Sequence, residues 1–78
     1  MLSETSSETE FRREQNARLL AAIESKKARF PRMVALIGNE IRFCELGTDQ
    51  KGFPKPRYTY KVFDHRQMEQ AIEWVESL

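Results

Sequence analysis

Met33-Val34-Ala35-Leu36-Ile37, then Gly38-Asn39, then Glu40-Ile41-Arg42-Phe43-Cys44-Glu45-Leu46 is the stretch that decides the fold. Two runs rich in β-branched and aromatic residues, separated by two residues beginning with glycine, predict a β-hairpin closed by a type II′ turn. Such a turn sets Ile37 opposite Glu40, Leu36 opposite Ile41, Ala35 opposite Arg42, Val34 opposite Phe43 and Met33 opposite Cys44. Side chains alternate along a strand, so Val34, Leu36, Ile41 and Phe43 are expected on the core face. Met33, Ala35, Ile37, Glu40, Arg42 and Cys44 are expected on the other.

Downstream, residues 47–56 (Gly47-Thr48-Asp49-Gln50-Lys51-Gly52-Phe53-Pro54-Lys55-Pro56) read as a loop by composition. Arg57-Tyr58-Thr59-Tyr60-Lys61-Val62-Phe63 then alternates strictly. It predicts a third strand with Tyr58, Tyr60 and Val62 inward and Arg57, Thr59 and Lys61 outward. Asp64 and Gln67 form a capping-box pair for a helix over 65–77. Met68, Ala71, Ile72, Val75 and Leu78 recur there at helical spacing, and Glu69, Glu73 and Glu76 fall on the solvent side. Trp74 is expected at the edge of the apolar stripe.

Upstream, Ser7 followed by Glu10 suggests another capping box and a helix over 7–28, stopped by Phe30-Pro31. Its amphipathicity is weak: Leu19, Leu20 and Ile23 give a narrow apolar stripe, and Ala17, Ala21 and Ala28 a second, small one. Residues 1–6 read as a flexible acidic tail. The sequence therefore predicts a single α+β domain over 7–78. Its order is an N-terminal helix, a three-stranded antiparallel meander (33–37, 40–46, 57–63) and a C-terminal helix, with both helices on one face of the sheet.

The whole chain has 78 residues, enough for one domain with a thin core. Thirteen basic against twelve acidic residues argue against both a strongly basic nucleic-acid binder and an acidic DNA mimic. The signs alternate in blocks. Residues 11–32 hold Arg12, Arg13, Arg18, Lys26, Lys27, Arg29 and Arg32 against Glu14 and Glu24, and residues 51–62 hold Lys51, Lys55, Arg57 and Lys61 with no acid. The remaining segments are net acidic. One cysteine, Cys44, and one histidine, His65, make neither a disulfide nor a structural zinc site within one chain. No stretch is apolar enough to span a bilayer, and the acidic start does not resemble a signal peptide, so a cytoplasmic protein without membrane partner is expected.

No constellation of nucleophile, base and acid is legible, and Gly38, Gly47 and Gly52 are too dispersed for a phosphate-cradling loop. The expectation is a non-enzymatic protein with no cofactor, metal or small-molecule substrate. It acts by stoichiometric binding to a macromolecule, with Arg42, Lys51, Phe53, Lys55, Arg57, Thr59, Lys61 and Trp74 as candidate partner-binding residues. A protein is the preferred partner. Binding of nucleic acid to a basic sheet face, with Arg32 at its entrance, is the first alternative, and a structural homodimer the second. The element order is similar to that of double-stranded-RNA-binding domains, but those begin their second helix with lysines where Asp64-His65-Arg66-Gln67 stands here, and that family is set aside. A sheet backed by a C-terminal helix is also similar in topology to the arm-type DNA-binding domains of phage integrases. Size and lack of motifs are shared with small regulators and with phage or mobile-element inhibitors of host machinery, such as anti-CRISPR proteins.

Overall fold

The turn joining the first two strands decides which residues reach the core. In a computed structural model, which describes the backbone of residues 2–78 and side chains from Glu8 onward, β1 (Met33–Ile37) pairs antiparallel with β2 (Glu40–Thr48). The register is Ile37 opposite Ile41, Ala35 opposite Phe43 and Met33 opposite Glu45. This is one residue away from the type II′ expectation. A type II′ turn needs a positive φ at its first glycine, and Gly38 does not have one. The Gly38 amide instead donates to the Glu40 carbonyl at 3.0 Å, which makes Gly38-Asn39-Glu40 a three-residue connection. A one-residue slip exchanges the faces of a strand. Met33 is therefore fully buried and Ala35 packs on the core, while Val34 and Leu36 turn to the opposite side, where Leu36 is exposed.

β3 (Pro54–Asp64) completes a sheet of order β1-β2-β3. It is longer than expected, because half of the segment read as a loop is strand. Only residues 49–53 turn. Asp49 holds that turn: its Oδ1 accepts the amides of Lys51 (2.8 Å) and Phe53 (2.9 Å), and its own amide donates to the Phe53 carbonyl at 2.9 Å. Gly52 supplies the left-handed residue, at φ +86°. Pro54 and Pro56 lack an N–H and are accommodated because β3 is an edge strand. The β2–β3 register shifts twice, between Phe43 and Cys44 and between Glu45 and Leu46, leaving Tyr60 and Arg57 as extra residues on β3. The strict alternation expected for this strand is broken. Phe63 and Tyr60 pack on the core, whereas Val62 and Tyr58 are exposed.

α1 (Leu2–Ser25) begins before Ser7 and ends before residue 28. The backbone of the expected tail is thus helical from Leu2, and Ser7 lies inside the helix rather than at its cap. The Ser7 side chain and that of Met1 lie outside the described residues. Twenty-four helical residues reach about 36 Å, which accounts for much of the 47 Å long axis. Leu19, Ala22 and Ile23 are buried, and Leu20 is exposed, correcting its place in the expected stripe. Turns over 26–29 follow, and the Phe30 amide donates to the Lys26 carbonyl at 2.8 Å just ahead of Pro31.

α2 (Met68–Glu76) buries Met68, Ala71, Ile72 and Val75 as expected. Asp64 and Gln67 do bond to each other, since Gln67 Oε1 accepts the Asp64 amide and the Asp64 carbonyl accepts the Gln67 amide, both at 2.9 Å, while Asp64 Oδ1 accepts the amide of Arg66 rather than of Gln67, also at 2.9 Å. They do so in a turn preceding the helix, which is why regular helix starts at 68 rather than 65. Both helices lie on the face carrying Met33, Ile41 and Phe43, and the fold is α-β-β-β-α in the α+β class. Arg18 clamps the helices together by donating to Glu69 through Nη1 (2.7 Å) and Nη2 (3.3 Å). Lys26 Nζ donates to the Leu78 carbonyl at 2.9 Å.

Two outcomes test this arrangement. Met33→Ala should lower stability by about 2–5 kcal/mol in urea titration and Leu36→Ser by less than about 1; the reverse order would restore the type II′ register. The Arg18 hydrogen bond holds the Glu69 carboxyl below its ordinary value. The clamp therefore stabilises above about pH 4.3 and is lost as pH falls through the lowered value. The melting temperature of Glu69→Gln should accordingly fall less steeply below that pH than that of the native sequence.

Candidate functional site

With the helices on one side, nothing among the described residues covers the opposite face of the sheet. By the register it carries Val34 and Leu36 of β1, Glu40, Arg42, Cys44 and Leu46 of β2, and Pro56, Thr59, Val62 and, at its end, the Arg66-bound Asp64 of β3. Leu36 and Val62 are each 42% exposed, and Val34 and Leu46 are half-buried. Arg42 Nη2 donates to Glu40 Oε1 at 2.6 Å, so the one cation of this face is neutralised within it. Cys44, in the central strand between Val34 and Thr59, is fully buried. Burial pushes its thiol up, and the nearby Arg42 opposes that more weakly.

The basic sheet face expected from alternation is dispersed by the two β3 bulges. Arg42 and Thr59 remain on the open face. Lys61 pairs with the inward-facing Phe43, and its Nζ lies 5.8 Å from the Phe63 ring centroid on the helix side. Trp74 is half-buried against Phe43, with ring centroids 4.9 Å apart, and 6.2 Å from Phe63. These two residues thus stand apart from the open face.

Lys51, Phe53, Lys55 and Arg57 gather instead at the far end of the β2–β3 hairpin. Arg57 is an extra residue of the second bulge, and its side chain lies directly over Gly47: a β-carbon there would stand 2.1 Å from Arg57 Cδ. Arg32 joins this end through its carbonyl, which accepts the Leu46 amide at 2.9 Å. Sequence reasoning missed Gly47 as a seat for Arg57 and left Arg32 at the margin. A lone glycine inside a strand pattern is the signal that could have found the first. Tyr58 is 61% exposed and Phe53 62%. Tyr60 sits edge-on to both Tyr58 and Phe30, and its hydroxyl donates to Glu45 Oε2 at 3.3 Å. Burial and the neighbouring carboxylate hold the Tyr60 phenol above its ordinary value.

His65 lies at the other end of the sheet. Its Nδ1 is 3.2 Å from the Asn39 carbonyl and 3.4 Å from Asp64 Oδ1, both acceptors, which places a proton on that nitrogen. Arg66 also holds Asp64, and that hydrogen bond keeps the carboxyl below its ordinary value. Among the described residues no group of three or more His, Cys, Asp or Glu side chains is disposed to hold a metal ion. No described helix is long and apolar enough to cross a membrane.

Comparison with protein-family models, curated proteins and solved structures gave no match.

The burial of Cys44 has a direct readout. Its thiol should react with Ellman's reagent much more slowly in the native protein than in urea. Immediate stoichiometric reaction in the folded state would mean that the open face exposes the central strand.

Proposed function

We propose that this chain is a non-enzymatic binding protein that acts stoichiometrically on a protein partner, as a small regulator or inhibitor, by docking through the open face of its sheet. The neutral, apolar character of that face supports the reading: Val34, Leu36, Leu46 and Val62 surround an Arg42–Glu40 pair that is already neutralised. A surface without free charge offers little to a polyanion. It suits an apolar protein surface, which gains from covering it.

Size selects the kind of partner. Three strands about 4.8 Å apart and about eight residues long give a footprint of about 400 Å². Two copies pairing face to face would bury about 800 Å² in all, below the ~1,200 Å² of stable interfaces. The partner is therefore a larger protein that continues past the face, and the unpaired edge of the five-residue β1 is the natural continuation, by strand addition.

Leu36→Glu and Val62→Glu place a charge on the face without touching the core. Tagged native protein should retain a discrete host protein at one-to-one stoichiometry after nuclease treatment and moderate-salt washes. Each variant should lose it, while Arg13→Gln on the exposed side of α1 retains it and all forms keep the native circular dichroism spectrum. Capture that survives both charged substitutions would remove the open face as the docking surface. A melting temperature that rises with protein concentration would favour self-association instead.

A further inference from the structure

We propose that the end of the β2–β3 hairpin is a nucleic-acid-binding arm, in which Arg32, Lys51, Lys55 and Arg57 take backbone phosphates and the exposed rings of Phe53 and Tyr58 stack on unpaired bases. This arm is separate from the neutral face of the sheet, and it rests on different residues.

The first support is electrostatic. Arg18, Arg42 and Arg66 are each tied to a carboxylate, by contacts of 2.7, 2.6 and 3.0 Å. The four cations of the arm form no ion pair among the described residues. The two acids nearby are already engaged: Asp49 Oδ1 accepts the Lys51 and Phe53 amides, and Glu45 Oε2 accepts the Tyr60 hydroxyl. Positive charge is thus concentrated and left available at one end of a molecule whose formal net charge is only +1.

The second support is positional. Arg57 is seated against Gly47, where its stem occupies the space a β-carbon would need. A long side chain held along the backbone keeps its guanidinium placed without a partner carboxylate, and a planar guanidinium matches phosphate in a bidentate manner. Shallow depressions open on both sides of Arg57, one bordered by Lys51 and Lys55 and the other by Arg32. Phosphates on either side of one arginine would each meet a further cation.

The third support is the pair of exposed rings. Phe53 and Tyr58 are 62% and 61% exposed beside these cations. Cations that follow a backbone, interleaved with aromatic faces, are the combination by which proteins hold single strands. An acidic protein segment would use the cations and leave the rings idle.

The test is fluorescence anisotropy with a labelled oligothymidylate, across a salt series, on the full chain. Four phosphate contacts to a single strand predict a log–log salt slope of about −3. Arg57→Gln should weaken binding about tenfold and flatten the slope by about 0.7. Gly47→Ala leaves the charge unchanged but evicts the Arg57 stem, and should weaken binding severalfold while the native circular dichroism spectrum is kept; Arg13→Gln should bind as the native sequence does. Phe53→Ala should lower affinity at every salt concentration with no change of slope. Absence of binding at low salt, indifference to Arg57→Gln, or competition by polyglutamate as effective as by unlabelled oligothymidylate would each overturn the proposal.

Discussion

Phe43 lies fully buried at the middle of the central strand, with the Trp74 ring centroid 4.9 Å away on α2 and that of Phe63 6.0 Å away on β3. It meets aromatic rings of both α2 and β3, and its orientation settles the rest. Once Phe43 faces the helices, Ile41 must do so too. Paired residues share a face, so Ala35 and then Met33 are drawn inward on β1. The same constraint sends Val34, Leu36 and Arg42 to the far side. The open face is thus the complement of the core, fixed by one aromatic residue and a turn of three residues.

The sequence made some of this legible and concealed the rest for identifiable reasons. α2 was clear because Met68, Ala71, Ile72 and Val75 permit only one buried face, and polar residues separate them. The inward side of β2 was equally clear, since Ile41 and Phe43 alternate with Glu40 and Arg42. β1 gave no such information. Met33-Val34-Ala35-Leu36-Ile37 is apolar on both faces, so either register buries hydrophobic side chains, and the choice passed to the turn. Gly-Asn suggested two loop residues, whereas the backbone closes over three. β3 misled in the opposite way. Its alternation of Tyr58, Tyr60 and Val62 was regular, but bulges at Arg57 and Tyr60 shift the phase, bringing in Phe63 and turning out Val62. Bulges leave no reliable mark in a single sequence, because the extra residue obeys no composition rule.

The candidate site followed the same pattern. Composition placed Lys51, Phe53 and Lys55 close together in a loop, and Arg57 at the start of the strand that follows it. Proline and glycine content dominated that reading. An edge strand tolerates proline, and the Asp49 carboxylate compresses the turn into five residues, so the hairpin extends as paired strand to Thr48 and Pro54. Charge that would have been spread along a flexible loop is held on a rigid ladder. Arg42, Thr59 and Lys61 were grouped with it only through an alternation that the bulges interrupt.

What emerges is a plate with three distinct surfaces. One side is spent on two helices, because a chain of this size has apolar residues for one core and no more. The other side leaves Leu36 and Val62 each 42% exposed, which forfeits burial that a larger protein would have secured with another layer. Retaining aliphatic side chains there has a cost in solubility and stability, and that cost is offset when a partner supplies the missing layer. The end of the hairpin follows a different logic. There the charges have no ion-pair partner among the described residues, although carboxylates elsewhere in the same molecule pair readily with Arg18, Arg42 and Arg66. Apolar surface and free charge favour different environments, and β3 holds them apart: Val62 stands on the open face opposite Arg42, whereas the Arg57 stem is seated over Gly47 at the far end of the hairpin.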